Sequence, residues 1–146
     1  MTCNQKKAWR MVFMGIVASG FFWLWTNNSL AQEKEVTTAG KNVYNQNCAV
    51  CHGREGKGDG GAVSLLTVKP ADLTQIAKKN GGAFPFWKVY RIIDGREEVK
   101  AHGTRDMPIW GQEFLLQAGS GTPAAESEVR GRILELVYFL QSIQAK

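Results

Sequence analysis

Five consecutive residues, Cys48-Ala49-Val50-Cys51-His52, constrain this chain more than any other stretch. They set two thiols about one helical turn apart with an imidazole immediately after. The C-x-x-C-H arrangement suits covalent attachment of c-type haem, with the sulfurs reaching the two porphyrin vinyl groups and the histidine facing the iron. Thioethers hold the group permanently, and a neutral imidazole ligates iron in either oxidation state. Competing uses of the pattern fit less well. A thioredoxin-like pair needs a preceding strand in a βαβ context. A zinc site built from Cys48, Cys51, His52 and His102 forces adjacent Cys51 and His52 onto one small ion, without a second spaced ligand pair. A simple disulfide leaves His52 without a role.

A motif of this kind belongs outside the compartment that makes haem, and the N-terminus agrees. Lys6, Lys7 and Arg10 precede fifteen uncharged residues, Met11 to Trp25, and Ser29-Leu30-Ala31 supplies small residues three and one positions before Gln32. This is the order of a secretory signal peptide, so residues 1–31 read as a leader and 32–146 as the mature domain. An uncleaved membrane anchor is the alternative. Fifteen apolar residues span only about 22 Å as a helix, against a hydrocarbon core of roughly 30 Å. Of the three cysteines, Cys3 belongs to the leader and two remain. The formal charge of +5 divides the same way: three of the five excess charges lie in the leader, leaving +2 for 32–146. The basic balance therefore reports on export, and nucleic acid is not an expected partner.

The mature chain shows helical periodicity and no strand-like alternation, which predicts an all-α class with few helices and much loop. Thr37 or Thr38 is a candidate cap for a first helix that places Gly40, Tyr44 and Cys48 on one face. Glycines 53, 56, 58, 60 and 61 then read as a flexible turn. Leu73 to Lys79 forms a short helix closed by Asn80-Gly81-Gly82, and Pro85 opens another through Asp94, with Trp87, Tyr90 and Ile92 or Ile93 inward and Gly95 as its stop. Arg96 to Ile109 reads as a long loop, followed by a turn of helix around Gln112 to Gln117. Thr122-Pro123 caps a terminal amphipathic helix carrying Val129, Ile133, Leu136, Val137, Leu140 and Ile143. So much irregular backbone in a small domain needs something besides side chains to organise its core.

Met107 is the one methionine of the mature domain. Most isolated methionines fill cores. This one lies in a loop and precedes Pro108, whose fixed φ limits backbone slack. A thioether binds ferrous iron well and raises the potential relative to a second imidazole, so Met107 is the expected sixth ligand. His102, in the same loop, is the rival histidine and is expected at the surface or near a propionate.

These residues together resemble the class I cytochrome c family, in particular its small bacterial mono-haem members. The resemblance covers Thr38 to about Gln144 and rests on Gly40-x-x-x-Tyr44-x-x-x-Cys48-Ala-Val-Cys51-His52-Gly53, the glycine-rich run, Met107-Pro108-x-Trp110-Gly111 and Leu136-Val137-Tyr138-Phe139-Leu140. It implies a fold in which N- and C-terminal helices cross, with Gly40 letting the backbones approach and Tyr44 packing near Tyr138. Short helices and loops wrap one covalently attached haem c, whose iron takes His52 and Met107. It also implies a carbonyl near Pro70 accepting from the proximal histidine, although Pro70-Ala71-Asp72-Leu73 has one residue more than the commonest spacing. Arg54, Arg105 and Trp110 are candidates to meet the propionates, and Tyr90 and Leu73 to form haem wall.

The implied role is a monomeric one-electron carrier on the periplasmic or exported side of a bacterial membrane, soluble after leader cleavage. No residue is catalytic, because both axial positions are filled, and redox proteins dock at the haem edge. Two alternatives stay open: an electron-accepting subunit of a periplasmic dehydrogenase or sulfur-oxidising complex, and, if Met107 is labile, a gas-binding sensor or weak peroxidase. Gly56-Lys57-Gly58-Asp59-Gly60-Gly61 matches G-x-G-x-x-G but lacks the strand and helix of a dinucleotide site. Asp94, Glu97 and Glu98 read as solvated surface.

Overall fold

The computed structural model describes residues 30–95, 107–119 and 121–145. The chain divides into units 1–35 and 36–146, and the second unit carries every element discussed below apart from the first turns of α1. Six helices run in order: α1 over residues 30–47, α2 Ala49–His52, α3 Ile76–Lys79, α4 Phe86–Asp94, α5 Trp110–Gln117 and α6 Pro123–Ser142. Short 3-10 turns lie at Val63–Leu65 and Leu73–Gln75. Among the described residues there is no strand, and the architecture is the all-α one expected. No described helix is long and apolar enough to cross a membrane.

The terminal helix forms where its sequence signals place it. Thr122 is extended and its Oγ1 accepts from Ala125 N at 3.1 Å, while Pro123 occupies the first turn, where its missing N–H costs nothing. Val129, Ile133, Leu136, Val137 and Leu140 are buried in a core shared with Tyr44 and Cys48 of the first helical stretch, Val89 and Ile93 of α4, and Phe114 of α5. Burying one such aliphatic side chain is worth about 1.5–3 kcal/mol, so the apolar stripe of α6 is the main organiser of this core. Arg132 joins the outer surface of α6 to α5. It lies 5.0 Å from the Phe114 ring centroid and donates to Gln117 Oε1 at 2.9 Å.

The crossing of α1 on α6 is as close as the glycine suggested. A Cβ on Gly40 would lie 1.9 Å from the Glu135 carbonyl oxygen, so only glycine lets these backbones meet. Tyr44 packs on Phe139, with ring centroids 5.1 Å apart, and not on Tyr138 as expected. Tyr138 points outward, 46% exposed, with its ring 5.0 Å from Phe86. Residues 136, 137, 139 and 140 are buried, which leaves position 138 on the outer side of the helix.

Three further expectations are corrected. The first helix does not begin at Thr37 or Thr38; it runs through both from residue 30, because the good helix formers Gln32 to Glu35 continue it upstream. In α4, Val89 and Ile93 face the core while Trp87 is 63% exposed. A first-turn position four residues before Arg91 lies on the solvent side of this helix, and the Trp87 ring rests against Phe86 and Tyr90 at 5.4 and 5.8 Å. The helix after the Met107 segment starts at Trp110, two residues before the expected Gln112. The end of α4 follows the sequence: Gly95 adopts φ 61° and donates to Arg91 O at 2.9 Å.

Candidate haem site

The motif extends α1 by one turn. Cys48 N donates to Tyr44 O at 2.8 Å, and His52 N to Cys48 O at 2.9 Å, so helical bonding continues through the break at Cys48 and carries Cys51 and His52 on the next turn. Gly53 ends it with φ 79°. Tyr44, wholly buried, donates its hydroxyl proton to Gly53 O at 2.5 Å and ties the end of the motif back to the helix that presents it. Removal from water is the main reason the Tyr44 phenol is pushed up to about 12, with Cys48 and Asp59 adding to it, so it remains a donor across the physiological range.

Both cysteines are free thiols, Cys48 buried and Cys51 half-buried. Burial, followed by the influence of Cys51, pushes the Cys48 thiol up to about 12. Its environment therefore favours an uncharged sulfur, which a thioether also is.

The glycine run is not the flexible turn expected. Gly56 N donates to Gly53 O at 3.2 Å, Gly58 N to His52 O at 2.8 Å and Gly60 N to Cys51 O at 3.1 Å, so the loop folds back on the motif. Close backbone approach explains the glycines. A Cβ on Gly58 would lie 2.3 Å from Pro70 O, and one on Gly60 2.3 Å from Val50 O. The space at Gly58 admits the Pro70-Ala71 segment beside His52. There His52 Nδ1 lies 3.1 Å from the Ala71 carbonyl oxygen. A carbonyl can only accept, so Nδ1 is the donor in this contact, and the tautomer that carries its proton there has Nε2 free to ligate. The accepting residue is Ala71, one beyond Pro70, in keeping with the extra residue in this spacing.

The surroundings fit a large apolar group held by that donor set. From Ala49 through Ile76 no apolar side chain is fully buried, and the buried positions of this stretch are Gly53, Gly56, Gly58 and Gly60. Leu65 and Val68 are 84% and 58% exposed. A stretch this long that is held by backbone bonds yet places no fully buried apolar side chain in the core is one that a bound group can cover. Leu73 and Tyr90, the expected wall residues, pack partly buried against the core.

Met107 lies in a bend just before α5 and is 37% exposed, with Pro108 exposed beside it. Trp110 opens α5 half-buried, with its ring 5.5 Å from Phe114. Arg54 is exposed. His102, Arg105 and residues 1–29, which carry most of the expected leader, lie outside the described residues. Among the described residues no cluster of three or more His, Cys, Asp or Glu could hold a bare metal ion.

Sequence reasoning missed the support behind the Ala71 carbonyl. Asp72 Oδ1 accepts from Thr74 N at 2.9 Å and Thr74 Oγ1 at 2.6 Å, capping the 3-10 turn that starts at Leu73. The Thr74 hydroxyl is the main reason that the Asp72 carboxyl is held below its usual value. Asp-x-Thr after a proline is a readable turn signal. Its link to His52 is visible only in three dimensions.

Comparison with curated proteins and with solved structures finds no match. A family model described as cytochrome c oxidase, cbb3-type, subunit III matches residues 35–118, more than half of the chain, and spans Cys48, Cys51, His52, the Ala71 segment and Met107. With the helical fold, this match implies haem c binding and a role in electron transfer. The chain belongs to the cbb3-type cytochrome c oxidase subunit III family, a family of c-type cytochromes.

Proposed function

We propose that this chain is a mono-haem cytochrome c that carries single electrons between redox partners on the exported side of a membrane. Residues 1–31 act as its export leader and 32–146 form the working domain. Cys48 and Cys51 would bind the porphyrin covalently, and His52 and Met107 would ligate the iron. The observation that carries the reading is the His52 Nδ1 to Ala71 O contact at 3.1 Å, which engages Nδ1 and would leave Nε2 to ligate, from the same turn that presents both cysteines. When bound, the haem supplies the one-electron chemistry.

The chain's own residues bind, orient and exclude. The buried Tyr44–Gly53 bond fixes the end of the attachment turn, and the glycine backbone bonds hold the loop that closes around it. The Ala71 carbonyl fixes the orientation and tautomer of His52. Met107 stands three residues before the start of α5, and Pro108 beside it would limit backbone slack at the ligand. With Met107 holding the sixth position no site would stay open for a substrate, so this ligation would favour a carrier over a sensor or peroxidase.

The decisive experiment is a redox titration of the purified holoprotein followed by absorption spectra, together with its intact mass. One covalently added haem per chain and a weak sulfur-to-iron charge-transfer band in the oxidised state are expected. In Met107→Ala that band disappears and the potential falls. Retention of both by Met107→Ala would overturn the axial assignment. The printed name of the matching family, a subunit of an oxidase, favours a second reading in which the chain is a fixed electron-transferring subunit of a larger complex. Co-purification in a defined ratio with one enzyme would support that role over a free shuttle. Both forms dock partners over a small interface near the haem edge.

A further inference from the structure

The side-chain amide of Gln144 engages its oxygen and both protons, bridging the end of α6 and the segment 73–77. Its Oε1 accepts from Ala77 N at 2.8 Å, and its Nε2 donates to Leu73 O at 2.8 Å and Leu140 O at 2.7 Å. Next to it, Ala145 N donates to Thr74 O at 2.8 Å. The end of α6 is thereby fastened to residues 73–77, some seventy positions earlier in the chain. The opposite side of that segment is held too: Leu73 N donates to Gly56 O at 2.7 Å, and Gly58 makes room for Pro70. Between these two attachments lies the Asp72–Thr74 turn, and directly before it the Ala71 carbonyl that accepts from His52.

We infer that Gln144 is a positioning residue for the proximal histidine: it anchors the 73–77 segment to α6 and so holds the Ala71 carbonyl at His52 Nδ1. The inference rests on His52 being an iron ligand, as proposed above, and adds a residue far from the motif that tunes it. The route is short and made of fixed parts. Leu73, bonded by Gln144, is two residues from Ala71, and the intervening Asp72 is locked by two bonds from Thr74. A carbonyl accepting from Nδ1–H makes the imidazole a more basic ligand and so favours the oxidised metal. Releasing the anchor weakens that bond and favours the reduced state.

The test uses the full haem-loaded protein in four forms: wild type, Gln144→Leu, Gln144→Glu and Val129→Ala. Gln144→Leu removes all three bonds and leaves an apolar side chain one atom shorter. Gln144→Glu keeps an oxygen for Ala77 N but loses both donors to Leu73 and Leu140, and it carries the test if the leucine variant does not accumulate. Val129→Ala opens a void in the α6 core away from the anchor and measures the effect of lost stability alone. Two readouts are taken: solvent exchange of the His52 Nδ1 proton by NMR, and the midpoint potential. The expected result is at least tenfold faster exchange and a raised potential in the Gln144 variants, with neither change in Val129→Ala. Unchanged exchange and potential in both Gln144 variants, or equal changes in Val129→Ala, would overturn the inference. Failure of the underlying reading is distinguishable, because it shows in the wild type as the absence of a slowly exchanging Nδ1 proton.

Discussion

At the scale of single residues, the site depends on a few side-chain hydrogen bonds. Tyr44 illustrates the cost of losing one. Its hydroxyl is the buried donor to Gly53 O, so Tyr44→Phe leaves that carbonyl at the end of the attachment turn without this bond. A loss of about 1–3 kcal/mol is expected in urea unfolding, with ring packing on Phe139 preserved. Asp72 gives a pH-dependent counterpart. Thr74 holds its carboxyl below the usual value, so the stabilisation is fully present above the ordinary carboxylate range and is lost as pH falls through the lowered value. Asp72→Asn retains an oxygen acceptor without the titration. Its acid unfolding curve should therefore lose part of the wild-type dependence on pH in that range, and coincident curves would refute the role given to this carboxylate.

At the scale of elements, helices with their own start and stop signals were legible and surface partners were not. Thr122-Pro123 and Gly95 mark the ends of α6 and α4 through local chemistry, and both ends fall where those residues stand. Gly40 was legible as a close-approach residue only through the family resemblance, which implies crossing terminal helices. Its Cβ-free face meets the Glu135 carbonyl, so Gly40→Ala should destabilise by about 1–3 kcal/mol or more, measured by thermal unfolding. A wild-type melting temperature in that variant would mean that the helices cross elsewhere. Which aromatic met which could not be read. Tyr138 and Phe139 are neighbours on one periodic helix, and a rotation of about 100° per residue decides which reaches Tyr44. Trp87 misled for a related reason, since indole size suggests burial and an exposed first-turn position permits the opposite.

At the scale of the whole molecule, the core is lopsided. Helices α1, α4, α5 and α6 share the buried side chains, whereas residues 49–76 contribute backbone bonds and no fully buried apolar side chain. A domain built so should depend on its bound group for a single packed state. The Cys48→Ala/Cys51→Ala/His52→Ala variant should retain much helical signal, because α6 carries its own caps and stripe, while losing near-ultraviolet circular dichroism and cooperative melting. A haem-free variant that melted as cooperatively as the loaded protein would show that the side-chain core suffices. The charge balance belongs to this scale as well. Residues 32–146 carry a formal charge of only +2, a weak source of long-range attraction for a polyanion.

By itself the sequence determined the c-type cytochrome motif and the helical class. Thiols and imidazole at fixed spacing on one turn are a local pattern, and so are a capped amphipathic stripe and a glycine stop. The tertiary structure decided what lies between segments distant in the chain: that Ala71 supplies the carbonyl for His52, that the glycine loop is tied to the motif by its backbone, and that Gln144 fastens the terminal helix to the segment carrying that carbonyl. The physical reason is the kind of contact involved. Backbone carbonyls and amides are the same at every residue, so nothing in the side-chain alphabet marks which of them meets a given histidine or glutamine until the chain has folded.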